Sequence, residues 1–577
     1  MASINKYADP WEYFKLIVNK MEMARATRNT PLLLENAKKL IDAKERTLKV
    51  TRNLISVASE YVYTYICTAY KYLAFLSNNI TSEQKRVYTE EAFNNAEEAL
   101  DNERFWPHDI SKYTYSNIAE LAIELRNFQK LIDVIEPCQL MPESVIYFWG
   151  TFLGNCSKLM PISDAEKNSI EQLFECFIRQ FTNDDNTLKY IYMFEMNYAD
   201  IIGDMYLAYN AGKNAMRYVP DNSINDLNIV IGYIKILLSS QINKATESIN
   251  LIEGYINSDI PNAQKADLYA WLGRAYFTLN QLDDAEKAYQ EAIALYPCNH
   301  TYYRYAFFLS KSGNYEKSNF YLSKITIKTT DEVNEFKRDC ARISGTNYLA
   351  LGEYQKAIEN FQISIDEIIG LINKIDLTGQ SSVGYFHHYL NEDLLRMIQA
   401  LIHAGEYEKA KEQLKAAEHY FPNALEFSAL KTACELLSKN TSEHDDLEES
   451  FSREYAYLSQ AALKSLISAE RIYRLLWENQ SSFSDGLIID YAKVVEIQLR
   501  KHLHEKRPDI DIDYKGMGDI IHLIAAEKLS PWQRYVSDYK IINKFRNEAA
   551  HRSAATADAI KTIRHLLFDQ KLLATLR

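Results

Sequence analysis

A stretch that begins near Ala266 carries small and aromatic residues at fixed intervals, and this spacing restricts the fold more than any other feature of the chain. The eight spaced positions are Tyr269, Leu272, Gly273, Tyr276, Ala285, Tyr289, Ala292 and Pro297. Small residues let two helices approach closely, aromatic rings fill the gaps between them, and glycine permits a tight turn. The pattern therefore predicts two packed helices joined by a turn.

Three later segments repeat parts of this pattern, each around a Gly-x-Tyr sequence. These sequences are Gly313-Asn314-Tyr315, Gly352-Glu353-Tyr354 and Gly405-Glu406-Tyr407. Together the four units resemble the tetratricopeptide repeat family, a 34-residue helix-turn-helix repeat, from about Ala266 to Leu437. The three glycines are 39 and 53 residues apart, which is longer than the ideal repeat. We therefore expect insertions, with a loop projecting between Ile369 and Phe386.

The resemblance implies a superhelical stack whose concave face receives a protein or peptide segment. Four tyrosines could line such a groove: Tyr302, Tyr303, Tyr305 and Tyr321. Packing between neighbouring repeats, with the hydroxyl groups reaching solvent, is the favoured interpretation of tyrosines at helical spacing.

Low glycine and proline contents extend the helical prediction to the whole chain. The 577 residues include only 17 Gly and 12 Pro, which disfavours a turn-rich β architecture. Residues 1–260 are predicted to form degenerate helical hairpins, and residues 261–437 the repeats. An acidic linker is expected at 438–452, followed by a separate domain at 453–577. The predicted fold class is all-α, with a tetratricopeptide-type α-solenoid before a C-terminal helical bundle.

Several features predict a soluble, cytoplasmic protein with no membrane association. The N-terminus lacks the basic and apolar segments of a signal peptide, and the seven cysteines are scattered without a CxxC pair, as expected for reduced thiols. The most apolar long run, 53–76, contains Glu60 and Lys71. No metal or cofactor site is predicted.

Charge is distributed unevenly along the chain. The formal net charge is −13, but the residues from Tyr455 onward contain 19 Lys and Arg against 15 Asp and Glu. A basic end on an acidic body favours phosphate binding by the C-terminal domain, and disfavours duplex DNA binding along the full length.

That C-terminal region contains the sequence Lys544-Phe-Arg546-Asn547-Glu-Ala-Ala-His551-Arg552. An apolar periodicity over 531–551 places it at the end of an amphipathic helix, and a last helix is predicted over 557–576. Histidine titrates near neutral pH, arginine is a permanent forked donor, and asparagine is a neutral donor and acceptor. These groups suit metal-independent cleavage of an RNA phosphodiester. Arg546 and His551 lie about 140° apart around a helix, so two copies across a twofold axis would form a better cleft, which suggests a homodimer.

The order of helices around this sequence resembles the HEPN superfamily over the last fifth of the chain. A helix at 490–503 and a short helix opening Gly516-Met-Gly518-Asp519 precede it. The resemblance implies a metal-independent endoribonuclease with Arg546 and His551 in the active site and Asn547 supporting them. It also implies RNA as substrate and a role as a bacterial toxin or antiphage effector, controlled through protein binding at the repeats.

A non-catalytic interpretation stands beside the nuclease one. The resemblance also covers members that have lost activity or act as binding and dimerisation modules, so the chain could be a tetratricopeptide scaffold whose last domain dimerises or binds nucleotide or RNA. Arg546 would then be an ordinary surface ion-pair partner, and His551 would cap the end of its helix. Glu496 and Asp519 are further candidates near the motif, for which a structural role is the favoured interpretation.

Overall fold

The computed structural model describes thirteen segments of the chain. They are residues 9–51, 56–77, 80–103, 111–138, 140–220, 223–327, 335–378, 383–421, 424–439, 442–477, 484–510, 516–550 and 557–577. These segments contain helices and turns and no β-strand, which confirms the predicted all-α fold class. The chain divides into two compact units, the first reaching Gly254 and the second beginning at Tyr255, within the last turn of the helix Ala245–Ile256 that is described with the first unit.

The first unit is a series of packed helices. In order they are α1 (Pro10–Ala26), α2 (Thr30–Thr51), α3 (Ser56–Leu76), α4 (Ser82–Glu103), α5 (Ser111–Leu125), α6 (Phe128–Ile135), α7 (Pro142–Asn155), α8 (Asp164–Gln180), α9 (Asp185–Ile202), α10 (Met205–Met216), α11 (Leu227–Leu237) and α12 (Ala245–Ile256), with 3₁₀ turns at Cys156–Leu159 and Ile224–Asp226. Aromatic rings fill much of its core. Trp149 stacks on Phe174 with ring centroids 3.7 Å apart, so α7 and α8 pack closely.

The second unit contains the repeats and the C-terminal helices. These are α13 (Asn262–Thr278), α14 (Leu282–Leu295), α15 (Asn299–Lys311), α16 (Tyr315–Ser323), α17 (Glu335–Ala350), α18 (Tyr354–Thr378), α19 (Val383–His403), α20 (Tyr407–Tyr420), α21 (Leu425–Lys439), α22 (Ser442–Glu454), α23 (Gln460–Trp477), α24 (Ser484–Lys506), α25 (Met517–Ala526), α26 (Val536–Ala550) and α27 (Ala557–Arg564). Short 3₁₀ segments lie at Trp532–Tyr535 and Leu572–Leu576, and a π turn lies at His565–Asp569. We call α23–α27 the C-terminal bundle.

Small residues of the repeats lie where aromatic rings need space. In the first helix pair, a Cβ atom placed on Gly273 of α13 would come within 2.8 Å of the Tyr289 ring of α14. The pair α17 and α18 repeats this contact, because a Cβ on Gly345 would lie 2.9 Å from the Phe361 ring. The spacing in the sequence therefore reflects direct helix-to-helix packing.

The three Gly-x-Tyr turns share one backbone conformation, and we call them together the repeat edge. Gly313, Gly352 and Gly405 have φ of +85°, +64° and +77°, a region that glycine enters without strain. In each turn the next N–H donates to the carbonyl five residues earlier, at 2.8 to 2.9 Å, which satisfies the end of the first helix. The tyrosine is then the first residue of the second helix.

Three predicted boundaries differ from the structure. The segment expected to be an acidic linker contains α22, because Leu447 and Phe451 lie four residues apart and are both buried. The loop expected between 369 and 386 is largely helical. Ile365, Ile368 and Ile372 keep the helical spacing and are buried, so α18 continues to Thr378; residues 379–382 lie outside the described segments. The predicted helix over 557–576 stops being α-helical after Arg564.

The tyrosines considered for the concave groove pack between repeats. Tyr305 is fully buried, its ring centroid lies 4.7 Å from that of Tyr321, and its hydroxyl donates to Glu286 at 2.8 Å. The rings of Tyr302 and Tyr303 contact Tyr321 and Phe336. These contacts agree with the packing interpretation.

Among the described residues, no helix combines the length and the apolar character that crossing a lipid bilayer requires.

Gly273→Ala should loosen the first repeat, because the added methyl group meets the Tyr289 ring. We expect a loss of about 1–3 kcal/mol, measured as faster hydrogen exchange in α13 and α14. Gly150→Ala is the matched control, since a Cβ there meets nothing within 4 Å, and alanine should stabilise that helix by about 0.5–1 kcal/mol. Equal protection of α13 in the variant and the wild type would contradict the packing explanation.

Candidate functional site

One face of α24 carries charged residues that meet the repeat edge. Asp490, Lys493, Glu496 and Arg500 follow one another at intervals of three or four residues, which places them along one side of the helix; we call them the charge row. Helix α26 packs beside α24 and brings Arg546 and Asn547 to the same face. The motif found in the sequence therefore lies at the contact between the C-terminal bundle and the repeats.

Arg546 is buried, with 1% of its surface exposed. Its Nη2 atom forms an ion pair with Glu496 at 2.9 Å and donates to the carbonyl of Ala350, at the end of α17, at 3.4 Å. The guanidinium carbon lies 4.9 Å from the centre of the Tyr315 ring, so that ring offers its electron-rich face to the cation. Arg546 is thus held by the repeats as well as by the bundle, and is not the surface ion-pair partner of the non-catalytic interpretation.

A second arginine and a second carboxylate, both partly buried, complete a charge cluster around Glu496. One amino group of Arg500, Nη2, bridges Glu496 at 2.9 Å and Glu316 at 2.7 Å. Burial, followed by repulsion from Glu496, raises the pKa of the Glu316 carboxyl to about 7. Burial also works to raise the pKa of Glu496, but the adjacent Arg546 and Arg500 outweigh it and hold that pKa below its ordinary value. The two carboxylates therefore differ in how readily they take up a proton.

Asn547 contacts the first turn of the repeat edge. Its side-chain oxygen accepts a hydrogen bond from the Tyr315 hydroxyl at 3.3 Å, and a Cβ on Gly313 would lie 2.5 Å from its amide nitrogen. Asn314 of the same turn donates to Asp519 at 3.1 Å. Glycine at 313 is therefore required twice, for its positive φ and for the close approach of Asn547.

The second turn makes a similar set of contacts with the charge row. Lys493 donates to the carbonyl of Gly352 at 2.6 Å. Tyr354 donates a hydrogen bond to Asp490, and Asp490 also pairs with Nδ1 of His403 at 2.8 Å. His403 and Asp490 are both buried. Two successive repeats thus bind the bundle through the same structural element.

The structure places two of the three predicted site residues together. Arg546 and Asn547 are neighbours on α26, and both face the first turn of the repeat edge. His551 lies outside the described residues, so its position relative to them, and the catalytic role of all three, stay predictions. Glu496 pairs with Arg546, and Asp519 accepts a hydrogen bond from Asn314; these contacts suit the structural role expected for both residues.

Sequence reasoning missed the partners that the repeats provide. The Gly-x-Tyr pattern includes Tyr315 and Tyr354 but indicates no contact with the bundle, and nothing in the sequence singles out Glu316. The available signal was the recurrence of tyrosine directly after each turn, at the first position of the second helix.

Comparison with known protein families identifies one tetratricopeptide repeat in the chain. The tetratricopeptide repeat family model matches residues 266–297, which confirms the first predicted repeat. A chain of the structure "Structure of Naa15/Naa10 bound to HypK-THB" is 12% identical, with 98% of this chain and 97% of that chain covered and a TM-score of 0.22. A circular tandem repeat protein with a novel repeat topology is also 12% identical, with 98% of both chains covered and a TM-score of 0.18. No curated protein matches the sequence.

The raised pKa of Glu316 predicts a pH dependence of the docked bundle. A carboxyl group with a raised pKa in the folded state stabilises that state most below its ordinary pKa, and the contribution is lost as the pH rises from 4.5 to about 7. Glu316→Gln keeps a neutral side chain at all pH values. Relative to this variant, the wild type should lose on the order of 2 kcal/mol of unfolding free energy between pH 5 and pH 8, measured by urea denaturation.

The test depends on the difference in unfolding free energy between the wild type and Glu316→Gln, measured at each pH. Glu195 of the first unit also has a pKa raised to about 7 by burial, but it titrates in both proteins and cancels in the difference. A difference that does not change with pH, or that grows in the opposite direction, would show that Glu316 is not held in this environment.

Proposed function

We propose that this chain is a protein-interaction scaffold in which tetratricopeptide repeats hold a docked C-terminal bundle. The burial of Arg546 between Glu496 and Tyr315 carries the proposal. The guanidinium group pairs with Glu496 of the bundle and contacts Tyr315 and the Ala350 carbonyl of the repeats, so it joins the two parts of the second unit. The repeats supply the type of surface that binds protein segments, and a protein partner is therefore expected there.

The energetics of buried ion pairs support a joining role. Removing one member of such a pair typically costs about 3–5 kcal/mol, because the other charge stays buried without compensation. Here the pair links α26 to α24, and the Tyr315 ring and the Ala350 carbonyl link the same side chain to two repeats. Separating the bundle from the repeats would leave the Arg546–Glu496 pair within the bundle, but would remove the Tyr315 ring and the Ala350 carbonyl from Arg546 and the Glu316 carboxylate from Arg500.

A double-mutant cycle tests the joining role. Arg546→Met should weaken docking by about 3 kcal/mol, measured as increased hydrogen exchange at the repeat edge and in α24. Glu496→Gln added to Arg546→Met should restore part of the loss, because the remaining buried charge is also removed. Arg534→Met is the control, since Arg534 is exposed in the 3₁₀ segment before α26. Unchanged exchange in Arg546→Met would contradict the proposal.

We further propose that the C-terminal bundle is a metal-independent RNA endonuclease when it is released from the repeats. The sequence motif Arg546, Asn547 and His551 supports this activity, and its resemblance to the HEPN superfamily suggests RNA as the substrate and a dimer as the active form. A toxin or antiphage effector controlled by a protein partner on the repeats would fit this arrangement. Docking and cleavage would then compete for the same arginine.

A variant that detaches the bundle from the repeats distinguishes the scaffold function from the nuclease function. Glu316→Arg places a third cation beside Arg500 and Arg546 and should detach the bundle; Glu408→Arg is the control, because the Glu408 side chain is 84% exposed on α20. If the bundle is a nuclease, Glu316→Arg should cleave total RNA faster than the wild type in the presence of a chelator. Adding His551→Ala should abolish cleavage.

Measurements on the same protein samples distinguish failure of the docking proposal from failure of the nuclease proposal. Hydrogen exchange reports whether Glu316→Arg has released the bundle, and sedimentation reports whether it dimerises. A released bundle that leaves RNA intact would exclude the nuclease and leave the scaffold. Cleavage that survives His551→Ala would assign the activity to other residues.

A further inference from the structure

A cavity of about 720 Å³ lies in the second unit, where the second and third turns of the repeat edge meet the C-terminal bundle. The turn segments around Gly352 and Gly405 form one wall, and α22, α23 and α24 form the other. This volume is in the range of sites that bind small molecules. The cavity is separate from the cluster around Arg546, which does not line it.

The carboxylates that line this cavity are mostly engaged by protein partners. Asp490 pairs with His403 and accepts from Tyr354, and Glu406 pairs with Lys409 at 2.7 Å. Glu448 lies 3.9 Å from Arg471, and its side chain is 64% exposed. Their negative charge is therefore largely neutralised or directed to solvent.

The cations that line the cavity have fewer partners. Lys493 donates to a backbone carbonyl, at Gly352, and is attracted by the nearby Asp490 and Glu353 carboxylates without a direct ion pair among the described residues. Burial lowers the pKa of its ammonium group. Arg471 has a buried Nε atom with no hydrogen-bond partner among the described residues, and Lys464 forms no ion pair with any of them. Arg471 and Lys464 therefore retain hydrogen-bond donors at the cavity that the described residues do not occupy.

Three donors follow one face of α23. Lys464, Ser468 and Arg471 are spaced by four and three residues, so they form a line along the helix surface that borders the cavity. Lys493 of α24 also lines the cavity. Cationic and hydroxyl donors in this arrangement match the oxygens of phosphates and carboxylates.

We propose that this cavity binds a small, multiply charged anion through Lys464, Arg471 and Lys493. Such a ligand would contact the repeat edge and the bundle at once, and would therefore stabilise their docking. The site does not depend on nuclease activity and needs neither Arg546 nor His551. Phosphate and carboxylate ligands share the required chemistry, and the choice of probe distinguishes them.

Calorimetry with pyrophosphate and with citrate on the full chain tests the site. We expect binding of at least one probe with one site per chain, weakened about tenfold in Lys493→Met and in Lys464→Met. Lys464 is exposed, so its variant should fold even if Lys493→Met does not. Lys431→Met is the control, because Lys431 pairs with Glu418 on the surface and does not line the cavity.

Hydrogen exchange gives a second readout. The bound probe should protect α20 and α23 in the wild type and not in Lys464→Met. Binding of pyrophosphate alone would indicate a phosphorylated ligand, and binding of citrate alone a polycarboxylate. Failure of both probes to bind at millimolar concentration, or equal binding by the wild type and both cavity variants, would overturn the proposal.

Discussion

The ion pair between Arg546 and Glu496 is the contact on which the arrangement of the second unit depends. Moving charged groups from water into a protein interior costs several kcal/mol for each ion, and their attraction offsets this only when the geometry and the surrounding hydrogen bonds are good. Arg500 completes the coordination of Glu496, and Tyr315 covers the Arg546 cation. The pair fixes the position of the Arg546 cation within the bundle, and the contacts with Tyr315, the Ala350 carbonyl and Glu316 then specify one relative position of bundle and repeats.

This specificity is distributed over successive repeats. The first turn of the repeat edge contacts Asn547 and Arg546, and the second contacts Lys493 and Asp490. Because the turns share one backbone conformation, they present their tyrosines in the same way at each step of the stack. The charge row of α24 also repeats, since its residues recur along one helical face, and different residues of the row contact different turns. The side chains of the bundle thus contact the turns of successive repeats along the solenoid.

The sequence predicted the parts of this structure that depend on local spacing. Gly273 and Tyr289 lie in one repeat, and their contact is encoded within a single helix pair. The helix α22 was missed because Leu447 and Phe451 are its principal buried apolar residues among many acidic ones. The interface was missed for a different reason. Glu316 and Arg500 are 184 residues apart, and Tyr315 and Asn547 are 232 apart, so no periodicity connects them.

Because the repeat edge supplies hydrogen-bond and ion-pair partners to the C-terminal bundle, the isolated bundle would differ chemically from the docked one. A fragment beginning near residue 453 would retain all five helices of the bundle and lose Tyr315, Glu316 and Tyr354. Arg546 would then lose the Tyr315 ring and the Ala350 carbonyl, and Asp490 would lose its hydrogen bonds with Tyr354 and His403. Transfer of this bundle to another repeat protein during evolution would require that protein to carry matching residues at its repeat turns. The bundle and the repeat edge are therefore expected to be inherited together.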